Sequence, residues 1–137
     1  MSFSLLPHRV YPTVLDIQGE DLSAAGITLL LADLDNTLAK YKALEPSPEL
    51  RRWKASLEAA GVDLFILSNS KKPMRVERYA QALGVPFLGR AEKPGTGGFR
   101  RAMERMGRTP SQTAMVGDQI FTDILGARRA GVLALMV

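Results

Sequence analysis

Five short apolar runs, Ile27–Ala32, Val62–Leu67, Val85–Leu88, Thr113–Val116 and Val132–Val137, alternate along this chain with segments of helical periodicity. The runs are continuous rather than alternating, which suits strands covered on both faces. Between them Leu50, Trp53 and Leu57 repeat at helical spacing, as do Val76, Ala80 and Leu83. Phe99, Ala102, Met103 and Met106 fit i, i+3, i+4, i+7, and Phe121, Ile124 and Leu125 continue the pattern. Ser47-Pro48 offers an N-cap with proline at the first helical position, and Gly61, Gly84, Gly107 and Gly131 each follow a predicted helix. Repeated strand–helix units with right-handed crossovers bury a sheet between two helical layers. The expectation is an α/β, three-layer Rossmann-like fold with a five-stranded, mainly parallel sheet. Residues 1–137 read as a single domain, on which residues 1–26 pack as an N-terminal arm with a short helix around Gly19–Ala25; a docking segment is the other reading of the arm.

Composition narrows the chemistry. The 137 residues, 46% hydrophobic and 23% charged, match an ordinary soluble domain with one good core. No run of about 18 apolar residues is present, and the N-terminus lacks the apolar region and cleavage site of a secretory signal, so a cytoplasmic location is expected. With no cysteine and one histidine, His8, there is no thiolate or multi-histidine site. Any metal would sit on oxygen, which favours a hard ion such as magnesium. The net charge of +4 and pI of about 9.7 come with clusters such as Lys71/Lys72 with Arg75 and Arg78, and Arg100/Arg101 with Arg105 and Arg108. These read either as solvated faces of amphipathic helices or as attraction toward an anionic partner: acidic lipid, a phosphorylated substrate or nucleic acid. Nucleic acid is the less favoured, because no aromatics interleave with the cations.

In an open parallel sheet, ligands bind at the carboxyl ends of the strands. The first run is followed by "DLDNT" (Asp33 to Thr37), the second by "SNS" (Ser68 to Ser70) and the fourth by "GDQIFTD", with Asp118 and Asp123; Lys93 follows the third. Taken singly, each has a bland account. Asp33 and Asp35 suit a turn in water, Ser68 and Asn69 a cap and loop, Lys93 a solvated loop, and Asp123 the start of a helix. Together they form a constellation. Asp33 and Asp118, on adjacent strands, could bring two carboxylates to one hard cation, which would orient a phosphate oxygen. Ser68 and Lys93 would bind the remaining phosphoryl oxygens. With no cysteine, the nucleophile left is a carboxylate, and Asp35 could protonate the leaving alkoxide and then deprotonate the attacking water.

These residues resemble the haloacid dehalogenase (HAD) superfamily of phosphatases. "DLDNT" is similar to its first motif, Asp-x-Asp-x-Thr/Val after a hydrophobic strand, and Ser68 after "LFIL", Lys93 and "GDQIFTD" follow in the order of the other three. The resemblance implies Asp33 as nucleophile and metal ligand, Asp35 as acid/base with its carbonyl on magnesium, and Ser68 and Lys93 on the phosphoryl group. It further implies Asp118 as a magnesium ligand, Asp123 as a metal-site residue that supports that ligand from behind or through water, and Thr37 ordering the first loop; Thr37 and Asn69 stand as substrate-binding candidates. The lead-in "LLPHRVYPTVLDI" narrows the resemblance to the YqeG-like branch of subfamily IIIA, which includes mitochondrial phosphatidylglycerophosphate phosphatases. Members usually continue past the last strand, where this chain departs from them.

The stretches from Thr37 to Ser68 and from Asn69 to Lys93 leave no room for the cap domains of larger members. A capless, open site suits a phosphate carried on something large, such as a protein, a nucleic-acid end or a membrane lipid, or a lid supplied by a second subunit. Peripheral contact with an anionic membrane follows as an expectation. The rival reading is a receiver-like phosphoacceptor switch, or an interaction module, on a similar fold; Asp35, two residues beyond the nucleophile, favours hydrolysis over a long-lived switch.

Overall fold

A computed structural model describes residues 4–40 and 43–137; the first three residues of the expected arm lie outside the described residues. The sheet has six strands, all parallel, in the order β1-β6-β5-β2-β3-β4. They are β1 (Arg9–Val10), β2 (Leu29–Ala32), β3 (Asp63–Leu67), β4 (Phe87–Leu88), β5 (Thr113–Gly117) and β6 (Leu133–Met136). The expected count of five is thus corrected by one: β1 comes from the arm and pairs with β6 at Arg9↔Leu135 and Val10↔Met136. Two residues are too few to show any periodicity, so pattern alone does not reveal this strand.

Among the described residues five α-helices connect the strands: α1 (Gly19–Ala24), α2 (Pro48–Ala59), α3 (Pro73–Leu83), α4 (Gly97–Met106) and α5 (Leu125–Ala130). The start of α2 follows its punctuation, since Ser47 Oγ accepts from the Leu50 N–H at 3.1 Å and Pro48 opens the helix. Two apolar layers flank the sheet. One joins the buried faces of α2 and α3 (Leu50, Trp53, Leu57, Val76, Tyr79, Leu83) to the sheet; the other is built on Phe99, Ala102 and Met103 of α4 with Ile124 and Ala127. All four residues of β2 are buried, as a central strand covered on both faces requires.

The arm contributes to the first layer. Val14, Ile17 and Leu22 are buried in it, and the Trp53 indole N–H donates to the Ile17 carbonyl at 2.9 Å. His8 ties β1 to its neighbour, its N–H donating to Ala134 O at 2.7 Å while its Nδ1 accepts from the Ala134 N–H at 2.9 Å. Among the described residues no cap interrupts the connections: one loop and α2 separate β2 from β3, and α3 is the one helix between β3 and β4. The carboxyl edge of the sheet is therefore open.

Candidate active site

The first loop grows directly out of the central ladder. Asp33 N–H donates to Val116 O at 3.1 Å, so pairing with β5 extends to the backbone of the aspartate itself. Side chains alternate along an extended chain, so Leu34 turns into the core while Asp33 and Asp35 face the other way. The Leu34 carbonyl then accepts the N–H groups of Thr37, Leu38 and Ala39 at 3.3, 3.1 and 3.0 Å, and Asn36 takes a left-handed conformation (φ 62°), which asparagine tolerates.

Lys93 stands at the centre of the charges. Its side chain is 1% exposed, and its ammonium donates to Asp123 Oδ1 at 2.6 Å, Leu67 O at 2.8 Å and Asp33 Oδ1 at 3.2 Å. All three of its protons are thus accepted. The side-chain amide of Asn69 holds the loop behind it, donating to Lys93 O at 2.9 Å and accepting from Lys93 N at 2.8 Å. Arg90 and Glu92 on that loop both have positive φ, 51° and 57°, a strained geometry for residues other than glycine. Between them Ala91 packs so closely on the start of α4 that a Cβ on Gly98 would lie 2.8 Å from its carbonyl oxygen.

Asp33, Asp118 and Asp123 each offer a carboxylate oxygen, and these atoms lie within 4.8 Å of one another. Burial pushes the carboxyls of all three above the usual range; the Lys93 ammonium opposes the rise, while neighbouring carboxylates add to it. Asp118 Oδ1 is buried with no hydrogen-bond partner. An all-oxygen donor set with an orphaned anionic oxygen fits a hard divalent cation. Asp123 is fully buried behind the others, with Lys93 on one oxygen and the Gln119 N–H on the other at 3.3 Å. A turn of π-helix, Ile120–Ile124, carries it back against β5, where its carboxylate fills the space that a Cβ on residue 117 would need. Glycine at position 117 is therefore a steric requirement of this arrangement.

Asp35 takes no part in that cluster. Both of its oxygens are held by the Arg75 guanidinium, Nη2 to Oδ1 at 2.7 Å and Nη1 to Oδ2 at 3.1 Å, and Nη2 also reaches Ala43 O at 3.1 Å. Arg75 is a site residue that the sequence reading left among the solvated cations. Ser68 is buried, and its hydroxyl accepts from the Ser70 N–H at 3.1 Å, leaving its own O–H free to donate. Asp33, Asp35, Asn36, Ser68, Asn69, Ser70, Lys93, Gln119 and Thr122 line a hollow of about 230 Å³.

Two expected substrate contacts have other surroundings. Asn69 borders the hollow, but its amide is occupied by the Lys93 backbone. Thr37 turns away, lining a separate groove with Thr13, Leu15 and Val137, and its buried Oγ1 has no partner. It is absent from the lining of the hollow that Asp33 and Ser68 share.

Comparison with known proteins bears on this edge of the sheet. The family model described as haloacid dehalogenase-like hydrolase matches residues 8–131.

The chain belongs to the haloacid dehalogenase-like hydrolases.

Among the relatives of this HAD chain is a probable phosphatase YqeG of Bacillus subtilis, 31% identical over 132 residues, covering 96% of this chain and 76% of the relative. The chloroplastic phosphatidylglycerophosphate phosphatase 1 of Chlamydomonas reinhardtii is 35% identical over 140 residues, covering 96% of this chain but 52% of the relative, so the chain spans about half of that protein. The HAD fold is seen again in the cobalt-bound deoxy-D-mannose-octulosonate 8-phosphate phosphatase of Haemophilus influenzae, with a TM-score of 0.64 at 21% identity over 87% of this chain and 71% of that one. The resemblance carried by the four motifs, down to the YqeG-like branch, is borne out. The chain is accordingly an enzyme of the HAD class, with no cap between its motifs.

Proposed function

We propose that this HAD hydrolase cleaves phosphomonoesters with magnesium through a phosphoaspartate at Asp33. The observation that carries this reading is the juxtaposition of Asp33 with the orphaned Asp118 oxygen and the buried Lys93 ammonium at one edge of the sheet. Asp33, Asp118 and Asp123 would hold the cation, with Asp35 contributing its carbonyl. Bound there, magnesium supplies charge neutralisation on the phosphoryl oxygens and fixes their orientation.

This chain's residues supply the rest. An Asp33 carboxylate oxygen attacks phosphorus while the bond from phosphorus to the ester oxygen breaks, and Asp35 gives that oxygen a proton. Ser68 O–H donates to one phosphoryl oxygen, and the Lys93 ammonium turns to another the proton it gave Asp33, released as that carboxylate attacks; both meet the charge that builds in the transition state. Asp35, now ionised, takes a proton from water; that water attacks phosphorus, phosphate departs and Asp33 is restored. Arg75 holds Asp35 through both transfers, and Asn69 and Asp123 aim Lys93.

The curated relatives named for phosphatidylglycerophosphate favour a lipid phosphate as substrate, and the capless edge suits an ester carried on a large surface. The test is phosphate release from phosphatidylglycerophosphate in mixed micelles, a phosphopeptide and small phosphomonoesters, each with and without magnesium. Metal-dependent turnover that Asp33→Asn abolishes, with an unchanged circular dichroism spectrum, is expected. Turnover equal to wild type in purified Asp33→Asn would overturn the phosphoaspartate, and failure on the lipid alone would leave the chemistry and remove the substrate.

A further inference from the structure

Large apolar side chains stand exposed on segments that follow the strands at this edge. Among the described residues, Leu44 is 71% exposed, Met74 79% and Phe121 68%. Each sits on a segment that follows a different strand of the carboxyl edge: Leu44 after β2, Met74 after β3 and Phe121 after β5. Each is also the immediate neighbour of a residue tied to the hollow. Leu44 follows Ala43, whose carbonyl holds Arg75; Met74 precedes Arg75; and Phe121 precedes Thr122, which lines the hollow. Exposed single apolar residues are ordinary on a protein surface, as Leu6 and Val10 are here, but three on segments next to residues of one catalytic site are a directional feature.

Charge accompanies them. On the loops after β2 to β4, exposed Lys40, Lys71, Lys72 and Arg90 outnumber exposed Glu45 and Glu92. Apolar side chains on separate loops with cations between them do not make one continuous groove for a peptide. They do match the boundary of a bilayer, where apolar tips enter among the acyl chains and ammonium groups meet anionic headgroups. No helix among the described residues is long and apolar enough to span a membrane, so this contact would lie on the surface.

We propose that the carboxyl edge of the sheet is a docking surface for an anionic lipid bilayer, with Leu44, Met74 and Phe121 entering the interface and Lys71, Lys72 and Arg90 on the headgroups. The inference deepens the phosphatase reading by adding the partner that presents the ester, and it rests on that reading for its purpose. As a binding property it is measurable without turnover.

The experiment is flotation of the full chain with vesicles of phosphatidylglycerol and phosphatidylcholine, beside pure phosphatidylcholine, at low and high salt. Wild type is expected to float with the anionic vesicles and to be released by salt. The double variant Met74→Ser/Phe121→Ser should bind about tenfold or more weakly, while hydrolysing p-nitrophenyl phosphate as wild type does. Lys71→Glu/Lys72→Glu, which leaves the apolar residues in place, should also weaken flotation. Wild type remaining unbound, or both variants floating like wild type, would overturn the docking surface while leaving catalysis untouched. So would sedimentation showing that the apolar residues close a dimer that Met74→Ser/Phe121→Ser dissociates. Loss of the phosphatase reading would look different: flotation intact, with no metal-dependent turnover of any ester.

Discussion

The Arg75 guanidinium grips both carboxylate oxygens of Asp35 across 40 residues of sequence, at 2.7 and 3.1 Å. The fork fixes the plane of a carboxylate that lines the hollow but stands outside the metal-ligand cluster. Proton transfer depends on such aim, and a small displacement of a catalytic group can cost about a hundredfold in rate. Arg75→Ala should therefore lower kcat about ten- to a hundredfold on alkyl phosphates, whose leaving oxygen needs a proton, with KM little changed. On p-nitrophenyl phosphate, whose leaving group departs without one, the loss should be much smaller. Arg75→Lys should fail to restore the rate, because a point charge cannot make the paired bonds. Equal losses on both substrates would mean that Arg75 serves the fold and not Asp35.

Asp118 carries the unpartnered oxygen of the cluster, so it should report on metal binding even without turnover. Saturating magnesium is expected to stabilise wild type by about 2 to 3 kcal/mol at a hundredfold excess over Kd, a rise in Tm of roughly 5 to 15 °C. EDTA should reverse the rise. Asp118→Asn should fold and lose most of the shift in a calorimetric scan; an undiminished shift would move the cation elsewhere.

Gly117 and Asp123 share one volume. Gly117→Ala should lose about 1 to 3 kcal/mol of stability, the usual range for forcing extra atoms into a filled interior. The loss should largely vanish when Asp123→Gly removes the whole side chain, Cβ included, that the added methyl would meet. Urea unfolding of the two single variants and the double one measures that coupling, and additive losses would refute the shared volume.

At the far edge of the sheet, burial first, then the charges of Arg128 and Arg9, hold the His8 imidazole below its ordinary value of 6.5. The folded pKa lies below the unfolded one, so the contribution to stability is complete above 6.5 and is lost as pH falls through the folded value. Protonation also removes the acceptor that Nδ1 presents to the Ala134 N–H. Amide exchange at Ala134, compared at each pH with a reference β2 amide, should accelerate as the solution is acidified through that value. An NMR titration of His8 placing its pKa above 6.5 would reverse the prediction.

Much of this site was legible because a buried strand fixes where its polar residues must emerge. The run ending at Ala32 delivers Asp33 and Asp35 to the edge, and the run ending at Val116 delivers Gly117 and Asp118 beside them. What pattern could not supply were the partnerships made across the fold. Arg75 sits in a basic cluster with Lys71, Lys72 and Arg78, and nothing in its spacing separates it from its solvated neighbours. Asn69 and Lys93 lie 24 residues apart, so the amide that braces the loop looked like a free substrate contact. The strand at Arg9–Val10 forms only because β6 presents an edge to it, a tertiary cause with almost no local signature.

The Lys93 ammonium, bound at once to Asp33 and Asp123, has a consequence for the order of events in the life of this protein. A cluster of carboxylates that depended on magnesium alone for its neutralisation would tie folding to the supply of the ion. Here an internal counter-ion is already in place when the chain closes, so the fold can be completed first and the metal loaded afterwards.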